Sequence, residues 1–297
     1  MPELPEVETV RRGLETLLLG RTVTDFQLLE PKLGRLAGEA KWDLDLVGNG
    51  LTAIRRRGKV LIIDLSSHHS LVVHLKMTGQ MVVVGPDHPG QATDRWGAGH
   101  PTQSLVGQLP DRSTRAIFVF DDDSRLFFND QRKFGWLQLV PTDQVDQIDL
   151  LATMGPEPLD GDPWTGFRDR IRRHRATSIK AALLNQSVIA GIGNIYADEA
   201  CWAARVHPGT KVASLSDRKL KAVLEGAVQA MRQSLAVGGS TDRNYVDAEG
   251  RRGAYLDFAN VFRKNGQPCS RCQTTLIKTR VAGRGTHLCP RCQRPVA

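Results

Sequence analysis

Four cysteines near the end of the chain constrain its fold more than any other feature. They form two C-x2-C pairs that are separated by sixteen residues: Cys269, Cys272, Cys289 and Cys292. A two-residue gap lets both thiolates of a pair point from one tight turn at a single ion, and two such pairs complete a tetrahedron. The spacing is typical of a zinc ribbon with one structural Zn²⁺, since four protein ligands leave no open position. Two disulfides are the alternative, and they favour a secreted chain.

The net positive charge of the chain lies in the same segment. The 297 residues carry 40 Lys and Arg against 32 Asp and Glu, which gives a net charge of +8. Residues 261–297 contain eight of the bases and no acid, so the first 260 residues are electrically balanced. A basic segment favours a polyanion such as DNA, RNA or an anionic membrane through counterion release. A solubilising surface is the alternative interpretation.

The remaining composition predicts a cytoplasmic globular protein. Hydrophobic residues make up 40 % of the chain and charged residues 24 %, which excludes a disordered or collagen-like chain. The longest apolar runs, such as residues 60–63 and 116–120, fall far short of the ~18 residues of a membrane-spanning helix. The first residues (MPELPE) carry acids where a signal peptide carries bases.

Residues 1–150 are predicted to form one helix followed by many short strands. Apolar residues recur at helical spacing from Val7 to Leu18, with Pro5 suited to the first turn and Gly20 to the end. Strands are predicted at 59–65, 71–75, 81–84, 116–120, 126–128 and 136–140. Short strands with turn signals indicate a sandwich or barrel. Residues 85–113 are rich in Gly, Pro and Asp and are predicted to form a long surface loop.

Residues 152–240 are predicted to be helical. Ser214 and Asp217 are interpreted as a capping box, and Gly238 and Gly239 as the end of the helix that follows. Residues 154–163, with their prolines and glycines, are the predicted interdomain linker. Cys201 lies in a helical stretch and is interpreted as a buried structural thiol.

The N-terminus carries a candidate nucleophile. Met1 is expected to be removed before the small Pro2, which exposes a secondary amine with a pKa of roughly 8. A neutral amine of this kind attacks an aldehyde-like carbon and forms a Schiff base, and the adjacent Glu3 is placed to move protons. Glu6 and Glu8 follow near the helix start. An ordinary acidic first turn that complements the helix dipole is the alternative.

Six segments, in order along nearly the whole chain, resemble the bacterial formamidopyrimidine-DNA glycosylases, which excise oxidised purines. They are residues 1–8 (MPELPEVE), 57–59 (RGK), 74–79 (HLKMTG), 129–135 (NDQRKFG), 179–199 (IKAALLNQ…GIGNIYADE) and 283–286 (GRGT). The related endonuclease VIII group typically has glycine where this chain has Leu4. A Gly-x-Gly-Asn turn alone is weak evidence for this family, but the match over the whole of residues 179–199 is specific.

The resemblance implies roles for the residues that match these motifs. Pro2 attacks the sugar C1′, Glu3 manages proton transfer, Lys59 contacts DNA and assists β-elimination, and Arg284 contacts phosphate and serves δ-elimination. Glu6 is a further candidate near the catalytic amine. The alternatives are a strand-edge lysine for Lys59 and a generic protein–protein module for the ribbon that carries Arg284.

Further DNA contacts are implied at the other motifs. Met77 fills the space left by an everted base, Arg132 pairs with the orphaned base, and Phe134 wedges into the stack. A core methionine and a buried turn phenylalanine are the alternatives. Lys180 and Asn194, with nearby backbone amides, hold phosphates.

Two positions depart from the family pattern. Lys76 stands where the family usually has glycine, which changes the backbone requirement or adds a phosphate contact. Arg115 stands where spacing places a DNA-binding histidine, so a cation is kept but the contact is in doubt.

The resemblance implies an α+β fold with three parts. These are an N-terminal β-sandwich with the N-terminal helix (1–150), a helix-two-turn-helix domain with a lesion-capping loop around 245–258 (151–261), and a zinc-finger hairpin (262–297). The expected function is a base-excision-repair glycosylase and abasic-site lyase, monomeric and bound to double-stranded DNA that contains oxidised bases. Two alternatives stay open: an endonuclease VIII-like enzyme for oxidised pyrimidines, and a non-catalytic DNA-binding protein.

Overall fold

The computed structural model describes residues 2–86, 95–99, 105, 107–239 and 255–295. By their contacts the described residues fall into two units. The first unit contains Pro2 and Glu6–Ala152, and the second contains Glu3–Pro5, residues 153–239 and residues 255–295. The helix α1, Leu4–Leu18, begins with residues of the second unit and continues in the first.

The described residues of the first unit form two five-stranded sheets and a short helix, α2 (Asp149–Ala152). One sheet has the order β1-β8-β9-β6-β7 and the other β2-β10-β5-β4-β3. The strands are β1 Val23–Leu28, β2 Gly34–Leu36, β3 Leu51–Arg57, β4 Val60–Leu65, β5 His69–His74, β6 Gly79–Val84, β7 Arg95–Gly99, β8 Thr114–Phe120, β9 Arg125–Asp130 and β10 Trp136–Pro141. Neighbouring strands are antiparallel apart from β2 and β10.

One hydrophobic core joins both sheets to α1, as expected for a sandwich. Leu61 and Ile63 of β4 contribute alternate positions from one sheet, and Phe118 and Phe128 contribute from the other. The predicted apolar stripe of α1 is buried in this core from Val7 to Leu18. The predicted β-sandwich and its N-terminal helix are confirmed.

The prediction of one continuous loop over residues 85–113 is wrong, because Arg95–Gly99 form strand β7 at the edge of β6. The sequence signal is weak, since Trp96 is followed by glycine and the strand exists through its pairing with β6. The Trp96 ring also packs on α1 at Gly13, where a Cβ would lie 2.0 Å from a ring atom. Residues 87–94, 100–104 and 106 lie outside the described residues.

The second unit is helical, as predicted. Its described helices are α3 Trp164–Ile171, α4 Ile179–Leu184, α5 Asn194–Ala203, α6 Asp217–Ala236 and α7 Tyr255–Phe258. They enclose a second core that includes Cys201, whose thiol is fully buried as expected. Burial raises the pKa of that thiol well above its usual range. Of the predicted capping loop, residues 245–254 lie outside the described residues.

The start of α6 corrects one prediction. The cap is Ser216, whose side chain accepts from the Lys219 amide, and not Ser214, which ends a short 3₁₀ turn. The end of the helix is as predicted, since Gly238 and Gly239 both adopt positive φ after Ala236. Among the described residues no helix has the length and apolar character needed to span a bilayer.

The last two strands, β11 Ile277–Val281 and β12 Arg284–Leu288, form an antiparallel hairpin between the two cysteine pairs. The two-residue turn at Ala282 and Gly283 has positive φ at both positions, as a tight hairpin turn requires. Arg284 is the first residue of β12 and is exposed to solvent.

Candidate functional site

The N-terminal residues of the second unit are held at the start of helix α5. The backbone amides of Gly193 and Ile195 donate to the Glu3 carboxylate at 2.7 and 2.9 Å, and the Tyr196 amide lies 3.5 Å from it. Unpaired amides at a helix N-terminus are a natural anion site. Glu3 is therefore a buried carboxylate with a fixed orientation, directly after Pro2, which is also buried.

Two glycines permit this close approach. A Cβ on Gly193 would lie 2.3 Å from the Glu3 carboxyl carbon, and one on Gly191 would lie 2.5 Å from Leu4. Gly191 also has φ +78 and accepts a hydrogen bond from the Leu4 amide at 3.1 Å. The two glycines of the predicted helix-two-turn-helix thus leave the space in which Glu3 and Leu4 pack, in addition to allowing a tight turn.

Lys59 lies in the two-residue turn between β3 and β4, next to Gly58 with φ +56. The lysine is buried, and Arg56 fixes the turn by donating to the Gly58 carbonyl at 3.0 Å. Arg56 is in turn paired with Glu8 of α1 at 3.1 Å.

The Glu8 carboxylate is the polar anchor of this turn. Burial raises the pKa of Glu8, but hydrogen bonds from Arg11, Arg12 and Arg56 outweigh burial and lower that pKa. In sequence, Glu8 indicates only an acidic first turn. Glu6, the other acid there, lies in the first turn of α1 and is half-buried.

His74 lies close to Lys59 and Lys76. Burial and the positive charges of Lys76 and Lys59 lower the pKa of His74 to about 3, so the ring is neutral at physiological pH. The neutral ring accepts from the Lys76 amide at 2.9 Å. Lys76 has φ +49, the left-handed region that favours glycine. Lys76 thus adopts the backbone conformation that favours glycine and adds a cation near His74.

Met77, Arg132 and Phe134 form one exposed cluster in the first unit. Met77 is 40 % exposed and Phe134 is 50 % exposed, so neither is a core residue. The Arg132 guanidinium lies 3.2 Å from the Met77 sulfur and 4.6 Å from the centre of the Phe134 ring. Large apolar side chains that are exposed together mark an interaction surface.

Asp130 holds this cluster in place, although it is not among the predicted site residues. The carboxylate is fully buried and accepts from the amides of Arg132, Phe134 and Gly135 at 2.7–3.1 Å. It also accepts from the Thr78 hydroxyl, which ties the turn of Met77 to the same anchor. The sequence signal was present, since an acid that ends a buried strand needs donors nearby.

Arg115 also contacts the base of this loop. Its Nε donates to the Asp130 carbonyl at 2.8 Å and its Nη1 to the Thr114 carbonyl at 3.2 Å. Part of the Arg115 guanidinium is therefore occupied by backbone acceptors of its own unit.

The four cysteines of the ribbon converge as predicted. Their Sγ atoms all lie within 4.8 Å of one another, with Cys269 and Cys289 buried and Cys272 and Cys292 partly buried. The four thiols are unoxidised. Four converging sulfurs with no carboxylate among them match the ligand set that Zn²⁺ prefers in structural sites.

Lys180 and Asn194, the predicted phosphate contacts, both donate to strand β12 of the hairpin. The Lys180 side chain is 0 % exposed, and its ammonium donates to the Gly285 carbonyl and the Thr286 hydroxyl, each at 2.8 Å. The Asn194 amide donates to the same Gly285 carbonyl at 3.0 Å. A lysine in sequence is usually exposed, but this one is enclosed by the hairpin that follows about a hundred residues later.

The chain is similar to known proteins along nearly its whole length. Three family profiles match in order: formamidopyrimidine-DNA glycosylase N-terminal domain (residues 1–137), formamidopyrimidine-DNA glycosylase H2TH domain (154–245), and zinc finger found in FPG and IleRS (266–295). The formamidopyrimidine-DNA glycosylase of Streptococcus thermophilus is 40 % identical over 99 % of this chain and all of its own length. With this zinc-finger match, the four cysteines form the site of one structural zinc ion.

Two similar solved structures are protein–DNA complexes. A variant of Lactococcus lactis FPG with DNA that contains Fapy-dG superposes with a TM-score of 0.83 at 33 % identity, covering 99 % of this chain and 100 % of that one. A MutM complex with DNA that contains carbocyclic 8-oxo-G has a TM-score of 0.82 at 33 % identity, with the same coverage.

Proposed function

Since the chain belongs to the formamidopyrimidine-DNA glycosylase family of base-excision-repair enzymes, we propose that it excises oxidised purines from duplex DNA and then cuts the strand. The substrates would be 8-oxoguanine and formamidopyrimidines. The similar complexes that contain Fapy-dG and carbocyclic 8-oxo-G support this substrate class.

The exposed Met77–Arg132–Phe134 cluster is the observation that carries the proposal. A glycosylase reaches the sugar carbon only when the damaged nucleotide leaves the stack, and this costs a few kcal/mol. Apolar wedges recover part of that energy by replacing the lost stacking, and a guanidinium supplies donors to the unpaired base. Asp130 presents these three side chains with their backbone already fixed.

The chemistry proposed at the N-terminus uses Pro2 and Glu3. The Pro2 nitrogen attacks C1′, the glycosidic C–N bond breaks, and the base leaves with the bonding electrons and takes up a proton. Opening of the sugar ring gives an iminium, which acidifies the C2′ proton. Loss of that proton expels the 3′ phosphate, and a second elimination expels the 5′ phosphate. Glu3 would transfer protons at the sugar, and its carboxylate, held by the Gly193 and Ile195 amides next to Pro2, supports this role.

The other site residues would assist at the phosphates. Lys59 supplies a cation beside the reacting sugar, and Arg284 reaches a phosphate from the exposed hairpin tip. Glu6, which lies close to Pro2 in sequence, is a further candidate near the amine. The zinc ion holds the hairpin together and takes no part in bond breaking. We further propose that the enzyme acts as a cytoplasmic monomer on double-stranded DNA, which light scattering of the free and DNA-bound protein would test.

A lesion panel with matched variants tests the proposal. Duplexes that carry 8-oxoguanine opposite cytosine, a formamidopyrimidine, an oxidised pyrimidine or no lesion are incubated with the zinc-loaded protein, and base release and strand cutting are measured separately. We expect both products from the two oxidised purines first. Faster release of the oxidised pyrimidine would overturn the substrate class, and binding without any release would leave a damage-binding protein.

Phe134→Ala tests the wedge within the same panel. Loss of one stacked aromatic ring costs about 1–3 kcal/mol, so we expect kcat/KM on 8-oxoguanine to fall about 10–100-fold. Leu44→Ala is the matched control, because Leu44 is an exposed apolar side chain of the same unit outside the loop. Equal effects of the two substitutions would contradict a wedge at Phe134.

A further inference from the structure

The buried pair Lys180 and Asp198 connects helices α4 and α5 to strand β12 of the zinc hairpin. The Lys180 ammonium lies 2.7 Å from the Asp198 carboxylate, and both side chains are fully buried. Asp198 accepts from the His287 amide at 2.9 Å and lies 3.3 Å from the His287 ring nitrogen Nδ1. All of these residues belong to the second unit.

The Lys180 ammonium makes one ion pair and two hydrogen bonds. Besides the ion pair with Asp198, it donates to the Gly285 carbonyl and to the Thr286 hydroxyl at 2.8 Å each. The ammonium is fully buried among these three groups, so a phosphate contact would have to displace one of them and expose a buried charge. The geometry therefore argues against a direct contact between Lys180 and DNA.

Strand β12 is held at three consecutive residues immediately after Arg284. Gly285 accepts from Lys180 and from Asn194 at 3.0 Å, Thr286 from Lys180, and His287 donates to Asp198. An isolated two-stranded hairpin is marginally stable in water, and the zinc site lies at the opposite end from the tip. The side chains on α4 and α5 thus fix the half of the hairpin that zinc does not reach.

We propose that Lys180 and Asp198 are positioning residues, which act on DNA binding only by fixing the backbone next to Arg284. The inference rests on the proposed function, because it takes Arg284 as a phosphate contact. It assigns to Lys180 an indirect role in place of the expected direct one. Asn194 shares this role through its bond to Gly285.

A double-mutant cycle separates the indirect role from a direct one. The affinity of the zinc-loaded protein for an 8-oxoguanine duplex is measured over a range of salt concentrations for Arg284→Ala, Lys180→Met and the double variant. Each phosphate contact contributes about one unit to the slope of log K against log salt. We expect each single variant to lose about tenfold in affinity and about one unit of slope, and the double variant to lose no more than either.

Additive losses, with about two units of slope missing in the double variant, would show that Lys180 binds phosphate itself and would overturn the proposal. Lys221→Met is the matched control, since Lys221 is an exposed lysine of the same unit on α6. If Arg284→Ala alone leaves affinity and slope unchanged, the proposed DNA contact of Arg284 fails, and the positioning role fails with it.

Hydrogen exchange supplies a test that needs no DNA. In Asp198→Asn, which keeps the shape of the side chain and removes its charge, we expect faster exchange of the His287 amide and its β12 neighbours while the cysteine turns stay protected and zinc content stays full. Unchanged exchange in both Asp198→Asn and Lys180→Met would overturn the positioning role, whatever their effect on DNA binding. This variant also replaces Lys180→Met if that protein does not fold.

Discussion

Two exposed segments of the molecule, the loop of residues 130–135 and the hairpin tip at Arg284, are each held by one fully buried aspartate. Asp130 holds the loop through amides at most five residues away, together with the Thr78 hydroxyl. Asp198 holds the hairpin through His287, which is 89 residues away, and it is paired with a buried lysine. Apart from Thr78, the first anchor uses local and neutral donors, whereas the second is long-range and includes a charged lysine.

This difference indicates which segment depends on the rest of its unit. The loop of Asp130 lies between strands β9 and β10, so the sandwich core fixes both of its ends. The hairpin packs few apolar residues, and its small core cluster consists mainly of Trp202, Val261, Leu276 and cysteines. We therefore expect the loop to be insensitive to metal and the hairpin to depend on it.

Removal of zinc is expected to have the largest effect. Structural zinc contributes about 10 kcal/mol or more to the folding of small zinc domains. In Cys289→Ala, or after chelation, we expect amide protection of β11 and β12 to be lost and DNA affinity to fall, while the sandwich keeps its urea midpoint. A parallel loss of protection in residues 130–135 would contradict the separation of the two anchors.

Substitution of Asp130 tests the local anchor. Asp130→Ala leaves three backbone amides and one hydroxyl without their buried acceptor, so we expect a loss of about 3 kcal/mol in the free energy of unfolding. Asp130→Asn keeps one acceptor oxygen and is expected to lose less. Urea unfolding measures both, and an unchanged midpoint in Asp130→Ala would refute the anchor.

Acid is expected to weaken the first unit through His74. Its pKa is about 3 when folded and 6.5 otherwise, so the unfolded chain binds the extra proton between these values. The stability that this group contributes is complete above pH 6.5 and is lost as pH falls toward 3. We expect about 2 kcal/mol to be lost by pH 5. His74→Asn keeps an acceptor for the Lys76 amide, and we expect the unfolding free energy of that variant to depend less on pH. An equal dependence on pH in both proteins would contradict the attribution to His74.

Lys76→Gly is expected to have the smallest effect. A left-handed conformation costs a non-glycine residue roughly 1 kcal/mol, partly offset by the greater freedom of glycine in the unfolded chain. We expect a gain of about 0.5 kcal/mol in stability and a small rise in the pKa of His74, because one nearby cation is removed. Lys76→Ala keeps the strained left-handed backbone, so we expect it to raise the pKa of His74 without a gain in stability. If Lys76→Ala were stabilised as much as Lys76→Gly, backbone strain at this turn would be contradicted.

Features that depend on neighbours in sequence were predictable. The period of apolar residues predicts α1 and most strands, and the C-x2-C spacing predicts the converging thiols. Features that depend on distant partners were not. The sequence around Trp96 predicts a loop, because its strand forms only through pairing with β6. The sequence around Lys180 predicts an exposed cation, because Asp198 and the hairpin that enclose the lysine are distant in sequence. Asp130 is an intermediate case, because its amide donors lie within five residues and only the Thr78 hydroxyl is distant in sequence.

Borohydride trapping on an 8-oxoguanine:cytosine duplex tests the proposed catalytic amine most directly. Reduction converts the transient iminium into a stable protein–DNA adduct, which peptide mass spectrometry assigns to one residue. We predict a trapped adduct on Pro2 in the wild-type protein and a strongly reduced yield in Pro2→Gly at full zinc occupancy. An adduct on Lys59, an equal yield from Pro2→Gly, or tight binding with no adduct at all would contradict the account.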